Sequence, residues 1–105
     1  TGESSAAVKK RVSEARAVQK KRFGNAAVTT NARMTEQQIR AFCAIDEASH
    51  QLMEMAIEKL GLSARAMNRI LKVSRTIADL DGREKIDSAH VAEAISYRSL
   101  DRSLV

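Results

Sequence analysis

The sequence predicts an all-α protein, and three observations lead to this fold class. Proline is absent, although average usage would give about 5%. Glycine occurs only four times in 105 residues, so the chain has few helix breakers. Apolar residues recur at helical spacing. Hydrophobic residues make up 44% of the chain, which suffices for a core. We therefore expect a small four-helix bundle preceded by a basic N-terminal helix.

The first element is a basic helix over residues 5–23. Residues 1–33 hold eight basic and two acidic residues, a net charge of +6, whereas residues 34–105 carry −1. The apolar stripe of this helix is thin, so we expect it to be loosely docked. Residues 25–33 are predicted to be a flexible connection. The sequence thus divides into a basic helix with its linker, 1–33, and a bundle, 34–105.

The four later helices are identified by their caps and their apolar period. Thr35, Ser63 and Asp87 can each cap a helix, and each follows a hydrophobic residue that can pack on the first turn. Gly61 suits the end of a helix because glycine takes the left-handed conformation cheaply. The predicted helices cover 36–47, 49–60, 64–81 and 88–98.

The helix over 64–81 has the clearest periodicity. Its apolar face contains Met67, Ile70, Leu71, Ser74, Ile77 and Ala78. Val73 and Leu80 widen that face, so we expect this helix to be the best buried of the five. Its opposite face is predicted to be polar and carries Arg65, Arg69, Lys72, Thr76 and Asp79.

The cations of this polar face form one candidate binding site. Arg65 falls in the first turn, where a cation is mildly unfavourable against the helix dipole. An anion bound at that end would reverse the argument, because free N–H groups and a guanidinium would then point at the same charge. The alternative is an ordinary exposed face on which Lys72 and Arg75 pair with Asp79.

The basic N-terminal helix is a second candidate. Its cations could contact nucleic-acid phosphates in a salt-dependent manner, with Arg33 nearby. The alternative is a solvated helix that docks on an acidic surface elsewhere in a longer protein. The residues concerned are Lys9, Lys10, Arg11, Arg16, Lys20, Lys21 and Arg22.

Several classes of function find no support in the sequence. Cys43 is the single cysteine, and His50 and His90 have no partner at ligand spacing, so no metal site is predicted. No glycine-rich phosphate loop and no nucleophile elbow can be drawn, so we predict no catalytic residue in this chain. The sequence favours a soluble, cytoplasmic location. A start at Thr1 favours a piece of a longer protein.

A long central run reads GLSARA at 61–66, RILKV at 69–73 and RTIADL at 75–80 and carries a family resemblance. It resembles the C-terminal domain of the magnesium-chelatase-like AAA+ ATPases, in the competence-related ComM (YifB) group. The ending around 94–102 and the opening at 2–5 are similar to that group as well, so the resemblance covers nearly the whole chain.

The resemblance implies a role for the two segments. Residues from about 34 onward would be the helical lid of an AAA+ module, and residues 1–33 would link it to the nucleotide-binding core of the same chain. The Ser-x-Arg-Ala pattern assigns the sensor-2 arginine, which reaches the nucleotide phosphates, to Arg65. Arg69, one turn on, is the second candidate.

The resemblance also implies what the longer protein would do. It would be an ATPase that uses ATP and magnesium and assembles as a hexamer, with DNA as its substrate in branch migration during natural transformation. The 105 residues alone would be no enzyme and would need no cofactor.

Two other functions remain open at this stage. One is a stand-alone helical DNA-binding module that uses the basic helix. The other is a protein-interaction bundle, which would need an exposed apolar groove. We rank the latter last, since the sequence shows no apolar stripe beyond the core faces.

Overall fold

The computed structural model describes residues 4–24 and 30–104, and it describes side chains in these ranges up to Tyr97. Within the described ranges there is no β-strand, only one isolated parallel bridge between Ile45 and Ile86. The prediction of an all-α fold is thus confirmed. The elements are α1 (Ser5–Phe23), a 3₁₀ turn (Asn31–Arg33), α2 (Glu36–Phe42), α3 (Glu47–Leu60), α4 (Ala64–Leu80) and α5 (Ser88–Leu104).

The predicted N-caps of α2, α4 and α5 are confirmed. The Thr35 hydroxyl accepts from the Gln38 N–H, and the Gln38 amide oxygen accepts from the Thr35 N–H, at 3.2 and 3.0 Å. Ser63 accepts from the first turn of α4, and Asp87 does the same for α5. These bonds satisfy amide groups that have no partner within the helix, and so they fix where each helix begins.

The boundary between α2 and α3 differs from the prediction. α2 ends at Phe42 rather than at residue 47, because Ile45 forms a β-bridge with Ile86, which is incompatible with a helical backbone at that residue. Asp46 then caps α3 by accepting from the Ser49 N–H at 2.8 Å, so α3 begins at Glu47 instead of residue 49. The Ile45 pairing depends on a residue 41 positions away, which helical periodicity does not report.

The core is built around α4. This helix packs against α1, the 3₁₀ turn, α2 and α5, while α3 packs against α5. Gly61 takes φ +62° at the end of α3, the left-handed conformation that lets the chain turn into α4. The large buried apolar residues of the core are Phe23, Met34, Ile39, Met53, Leu62, Ile70, Ile86 and Val91.

The C-terminal half of α1 is docked more firmly than its thin apolar stripe predicts. Ala15 and Phe23 are buried, and the Phe23 ring meets the Phe42 ring edge-on at 5.8 Å between centroids. The predicted flexible connection is also corrected in part, because residues 31–33 form the 3₁₀ turn. Residues 25–29 of that connection lie outside the described residues.

In the part of the chain that the structure describes, no helix has the length and apolar character needed to cross a membrane.

Candidate functional site

The polar face of α4 divides into two halves with opposite environments. Arg65 and Arg69, in the first half, are both exposed. Asp79, in the last turn, is only 4% exposed, although the periodicity predicted it to lie in solvent. The difference arises because α1 and the 3₁₀ turn pack on α4, where Arg22 and Asn31 bond to Asp79 in the second half of this face.

Asp79 is the centre of a buried polar network. Arg22 of α1 donates to both of its carboxylate oxygens, Nη1 to Oδ2 at 2.9 Å and Nη2 to Oδ1 at 2.7 Å. Asn31 donates to Oδ2 at 2.8 Å, and Arg75 lies 3.1 Å from Oδ1. Burial raises the pKa of the Asp79 carboxyl, but the hydrogen bonds from Arg22 and Asn31 outweigh it, so the pKa lies below its ordinary value.

Asn31 joins α1 to α4. Its side-chain amide donates to Asp79 and to the Thr76 hydroxyl, and its amide oxygen accepts from Arg22 at 2.8 Å. Its backbone N–H donates to the Gln19 side chain of α1. Sequence reasoning missed this residue, because Asn31 lies in a polar stretch that reads as a loop and has no local pattern that signals burial.

Arg75 is a structural arginine. It is buried, and its Nη atoms donate to the carbonyls of Glu84 and Arg83 at 3.0 and 2.9 Å. A third bond, at 3.4 Å, reaches the Phe42 carbonyl at the end of α2. Burial lowers the pKa of its guanidinium, and the charge of Asp79 opposes that shift. The expected Arg75–Asp79 pair therefore exists, but as a buried contact.

Lys72 does not pair with Asp79. Its ammonium donates instead to the Ala32 carbonyl of the 3₁₀ turn at 3.2 Å. Val73 departs from the prediction in the opposite sense, since it was placed on the apolar side yet is 39% exposed. The Lys72 bond follows from the packing of the 3₁₀ turn on α4, whereas Val73 is exposed because it lines an open groove.

Arg65 and Arg69 remain available for an external ligand. Neither guanidinium makes a hydrogen bond or an ion pair among the described residues. Arg65 is the second residue of α4, which has no acidic residue in its first turn, and Ser63 uses its hydroxyl to cap the helix. The positive end of the helix dipole and two guanidinium groups thus lie near each other with no internal anion, an arrangement that favours a bound phosphate or carboxylate.

The predicted basic set of α1 separates into two groups. Arg22 is held by Asp79, and Arg11 contributes to lowering the pKa of the Asp81 carboxyl at the far end of α4. Both arginines therefore interact with other residues of the fold. The others lie on the outward side of α1, are exposed and have no internal anionic partner among the described residues: Lys9, Lys10, Arg16, Lys20 and Lys21.

His90 and Cys43 have structural surroundings, whereas His50 is exposed. His90 is buried in the first turn of α5, where its Nδ1 accepts from the Asp87 N–H at 3.0 Å and its Nε2 lies 3.0 Å from Asp81. Burial raises the pKa of the Cys43 thiol to about 11, so it is uncharged at neutral pH. Among the described residues, no three metal-ligating side chains come together.

A groove lies next to Arg69, between α1, the 3₁₀ turn, α4 and α5. Its volume is about 890 Å³, and its walls carry both apolar and charged side chains. Exposed Val8, Val12, Val73 and Tyr97 line it. The sequence predicted no apolar surface beyond the core faces, and the structure corrects this.

Comparisons with known proteins agree with the fold. The family model for the magnesium chelatase subunit ChlI C-terminal domain matches residues 2–98. Competence protein ComM of Haemophilus influenzae is 44% identical over 103 residues, which are 98% of this chain and 19% of that protein. The YifB protein of Escherichia coli is 45% identical over 104 residues, 99% of this chain and 20% of that protein.

The chain therefore belongs to the magnesium chelatase C-terminal domain family, as the sequence resemblance indicated. It spans about a fifth of the length of the curated relatives that it matches. No solved structure matches it.

Proposed function

We propose that this domain is the helical lid of an ATP-driven motor and that Arg65 contacts the phosphates of the nucleotide. The observation that carries the proposal is the contrast along α4. Arg75 donates its hydrogen bonds to carbonyls within the fold, whereas Arg65 and Arg69 are exposed and unpartnered among the described residues. An exposed guanidinium at the start of a helix, with no carboxylate of the fold beside it, is suited to bind an external anion.

The residues present fit a phosphate group but not a whole nucleotide. Arg65 and Arg69 supply charged donors four residues apart on one helix face, a spacing that lets both approach one anion. The groove is lined by Arg69 and not by Arg65, and the chain has no glycine-rich phosphate loop. The base, the ribose and the magnesium ion would therefore be held by residues outside these 105. Magnesium-bound ATP would supply the phosphoryl group that is hydrolysed.

The hydrogen-bond network around Asp79 would let α1 and α4 move as a rigid body. Arg22 fixes α1 to the last turn of α4, while Arg65 stands at the other end of that helix. A displacement of Arg65 by the nucleotide would thus be transmitted along α4 to α1 through short, charge-assisted hydrogen bonds. We extend the proposal to a role in competence on the strength of the similarity to competence protein ComM of Haemophilus influenzae. A hexameric assembly that acts on DNA is the further part of the proposal, and it rests on the family resemblance of the sequence alone.

The test is ATP turnover by the longer protein that contains this domain, with and without branched DNA. Arg65→Ala is expected to lower turnover at least tenfold, about 1.4 kcal/mol of barrier. Arg65→Lys should recover only part of it, because an ammonium lacks the two-pronged geometry. Arg40→Ala is the matched control, an exposed arginine on α2, and should retain wild-type turnover. Wild-type turnover in Arg65→Ala would refute the proposal.

A second candidate function is nucleic-acid binding by the outward side of α1. The specific observation is its five exposed cations without an internal anion among the described residues. If all five contact phosphates, affinity should fall by about 500-fold between 50 and 200 mM salt, from a slope near −0.9 per contact.

Fluorescence anisotropy with a labelled duplex measures this salt dependence. Lys9→Gln combined with Lys20→Gln should lower the slope by about two. The matched control is Arg40→Gln combined with Lys59→Gln, which removes two exposed cations from outside α1. A salt-independent affinity, or an equal loss in both double variants, would leave the outward side of α1 as a surface for an acidic region of the longer protein.

A further inference from the structure

The groove between α1, the 3₁₀ turn, α4 and α5 concentrates the exposed apolar surface of the molecule. Val8 and Val12 of α1 are 41% and 36% exposed, although they lie on the same side of the helix as buried Ala15. The N-terminal half of α1 therefore projects over the groove without closing it. Tyr97 of α5, 50% exposed, faces the same space together with Val73 of α4.

This clustering is not the usual scatter of surface hydrophobic residues. The described side chains include six exposed large hydrophobics, and four of them line this one groove. Half-buried Ile77 and Leu80 extend the apolar surface along α4 at helical spacing. A contiguous apolar groove with a polar rim is the form that binds one side of an amphipathic helix.

The charges of the groove select among possible occupants. The lining carries three cations and three carboxylates. The cations Arg11, Arg69 and Lys72 lie on the α1 and α4 walls, and the carboxylates Asp81, Asp87 and Glu93 lie at the end of α4 and along α5. Arg69 has no partner among the described residues, and the Lys72 ammonium donates one of its three N–H groups to a carbonyl. The α4 wall thus offers positive charge beside apolar side chains. Glu93, on the α5 wall, is an anion of the groove that has no partner among the described residues.

We propose that this groove binds an amphipathic helix from outside the 105 residues, whose apolar stripe has acidic side chains on the flank that faces Arg69 and Lys72 and basic side chains on the flank that faces Asp87 and Glu93. A second copy of the chain is a poorer occupant. A two-fold interface would set one concave surface against another and would bring Arg69 towards its own copy. The inference does not require that Arg65 binds nucleotide.

The probes are two synthetic amphipathic peptides of about 14 residues, the length of an average helix. Both carry leucines at helical spacing. One, the glutamate peptide, carries glutamates along one flank of the leucine stripe and lysines along the other. The other, the lysine peptide, carries lysines along both flanks. Binding is followed by amide chemical-shift changes in the 105-residue chain. The glutamate peptide should shift the amides of Val12, Val73 and Tyr97, and it should bind at least tenfold more tightly than the lysine peptide.

Substitutions at exposed positions locate the binding. Val73→Glu and Arg69→Glu should each weaken the glutamate peptide at least tenfold. Met55→Glu is the control, since Met55 is 49% exposed but lies outside this groove, and it should change the affinity less than twofold.

Three results would overturn the proposal. One is equal binding of the two peptides, and another is no shift in the groove with either. The third is a dimer in sedimentation that Val73→Glu abolishes, which would assign the groove to a second copy. None of these measurements involves nucleotide, so their failure is distinct from a failure of the lid function.

Discussion

The two halves of the polar face of α4 use similar side chains for opposite purposes. In the last two turns, Arg75 and Asp79 are buried and bonded on several sides. In the first two turns, Arg65 and Arg69 are exposed and make no bond among the described residues. Residue type does not separate these halves. What separates them is the packing of α1 and the 3₁₀ turn, whose Arg22 and Asn31 bond to Asp79 in the second half.

The comparison shows how to recognise an arginine that is free to act. An arginine that a carboxylate and several carbonyls already hold contributes to the fold, and removing its partner leaves a buried charge. An exposed arginine contributes little to stability. The sharpest tests therefore set substitutions in the two halves against each other.

The largest expected effect comes from the covered half. Asp79→Ala leaves Arg22 and Arg75 without their carboxylate, so we expect a loss of about 3–5 kcal/mol in the free energy of unfolding. Urea denaturation followed by circular dichroism measures it. Glu58→Ala, an exposed carboxylate on α3, serves as the control and should stay within about 0.5 kcal/mol of wild type. A loss below 1 kcal/mol for Asp79→Ala would contradict the proposed role of the network.

The second effect is on pH dependence. Because the folded pKa of Asp79 lies below its ordinary 3.8, its contribution is complete above that value and is lost as pH falls through the folded pKa. Asp79→Asn imitates the protonated carboxyl. The difference in unfolding free energy between wild type and this variant should be larger at pH 6 than at pH 3. A constant difference would mean that the carboxylate charge is not what stabilises the network.

A smaller effect is expected at the start of the open half. Ser63→Ala removes the side chain that caps α4 and should cost about 1 kcal/mol in thermal or urea unfolding. Ser63→Asp retains an acceptor at the same position and should preserve the stability. If the alanine and aspartate variants proved equally unstable, the hydroxyl would not be the cap.

The smallest effect has the opposite sign. Arg65→Ala removes a cation from the positive end of the α4 dipole and should raise the stability of the 105-residue chain by about 0.3–0.5 kcal/mol. Arg40→Ala, in the last turn of α2, removes a favourably placed cation and should lower it by a similar amount. Thermal melts at low salt compare the two. A clear loss of stability in Arg65→Ala would indicate a structural role for this arginine.

Local chemistry predicted the parts of the fold that depend on neighbours in sequence. Thr35, Ser63 and Asp87 cap their helices as expected, because a cap bond spans only two or three residues. Helical periodicity likewise identified the apolar core side of α4, where Ile70 and Ala78 are buried.

The errors have a common physical origin. Asp79 was predicted to be solvated and Val73 to be covered, because periodicity gives the faces of a helix but not what packs on them. The end of α2 was missed because Ile45 pairs with a distant residue. Each error depends on a contact between segments far apart in sequence.

The sequence by itself determined the all-α class, the starts of α2, α4 and α5, and the family, because composition, cap chemistry and the motif around Arg65 are local properties. Only the tertiary structure decided which cations are engaged and which are free. A charge becomes structural when another segment brings it a buried partner, as Arg22 and Asn31 do for Asp79. That encounter is fixed by the packing of α1 and the 3₁₀ turn on α4, which no single stretch of sequence contains.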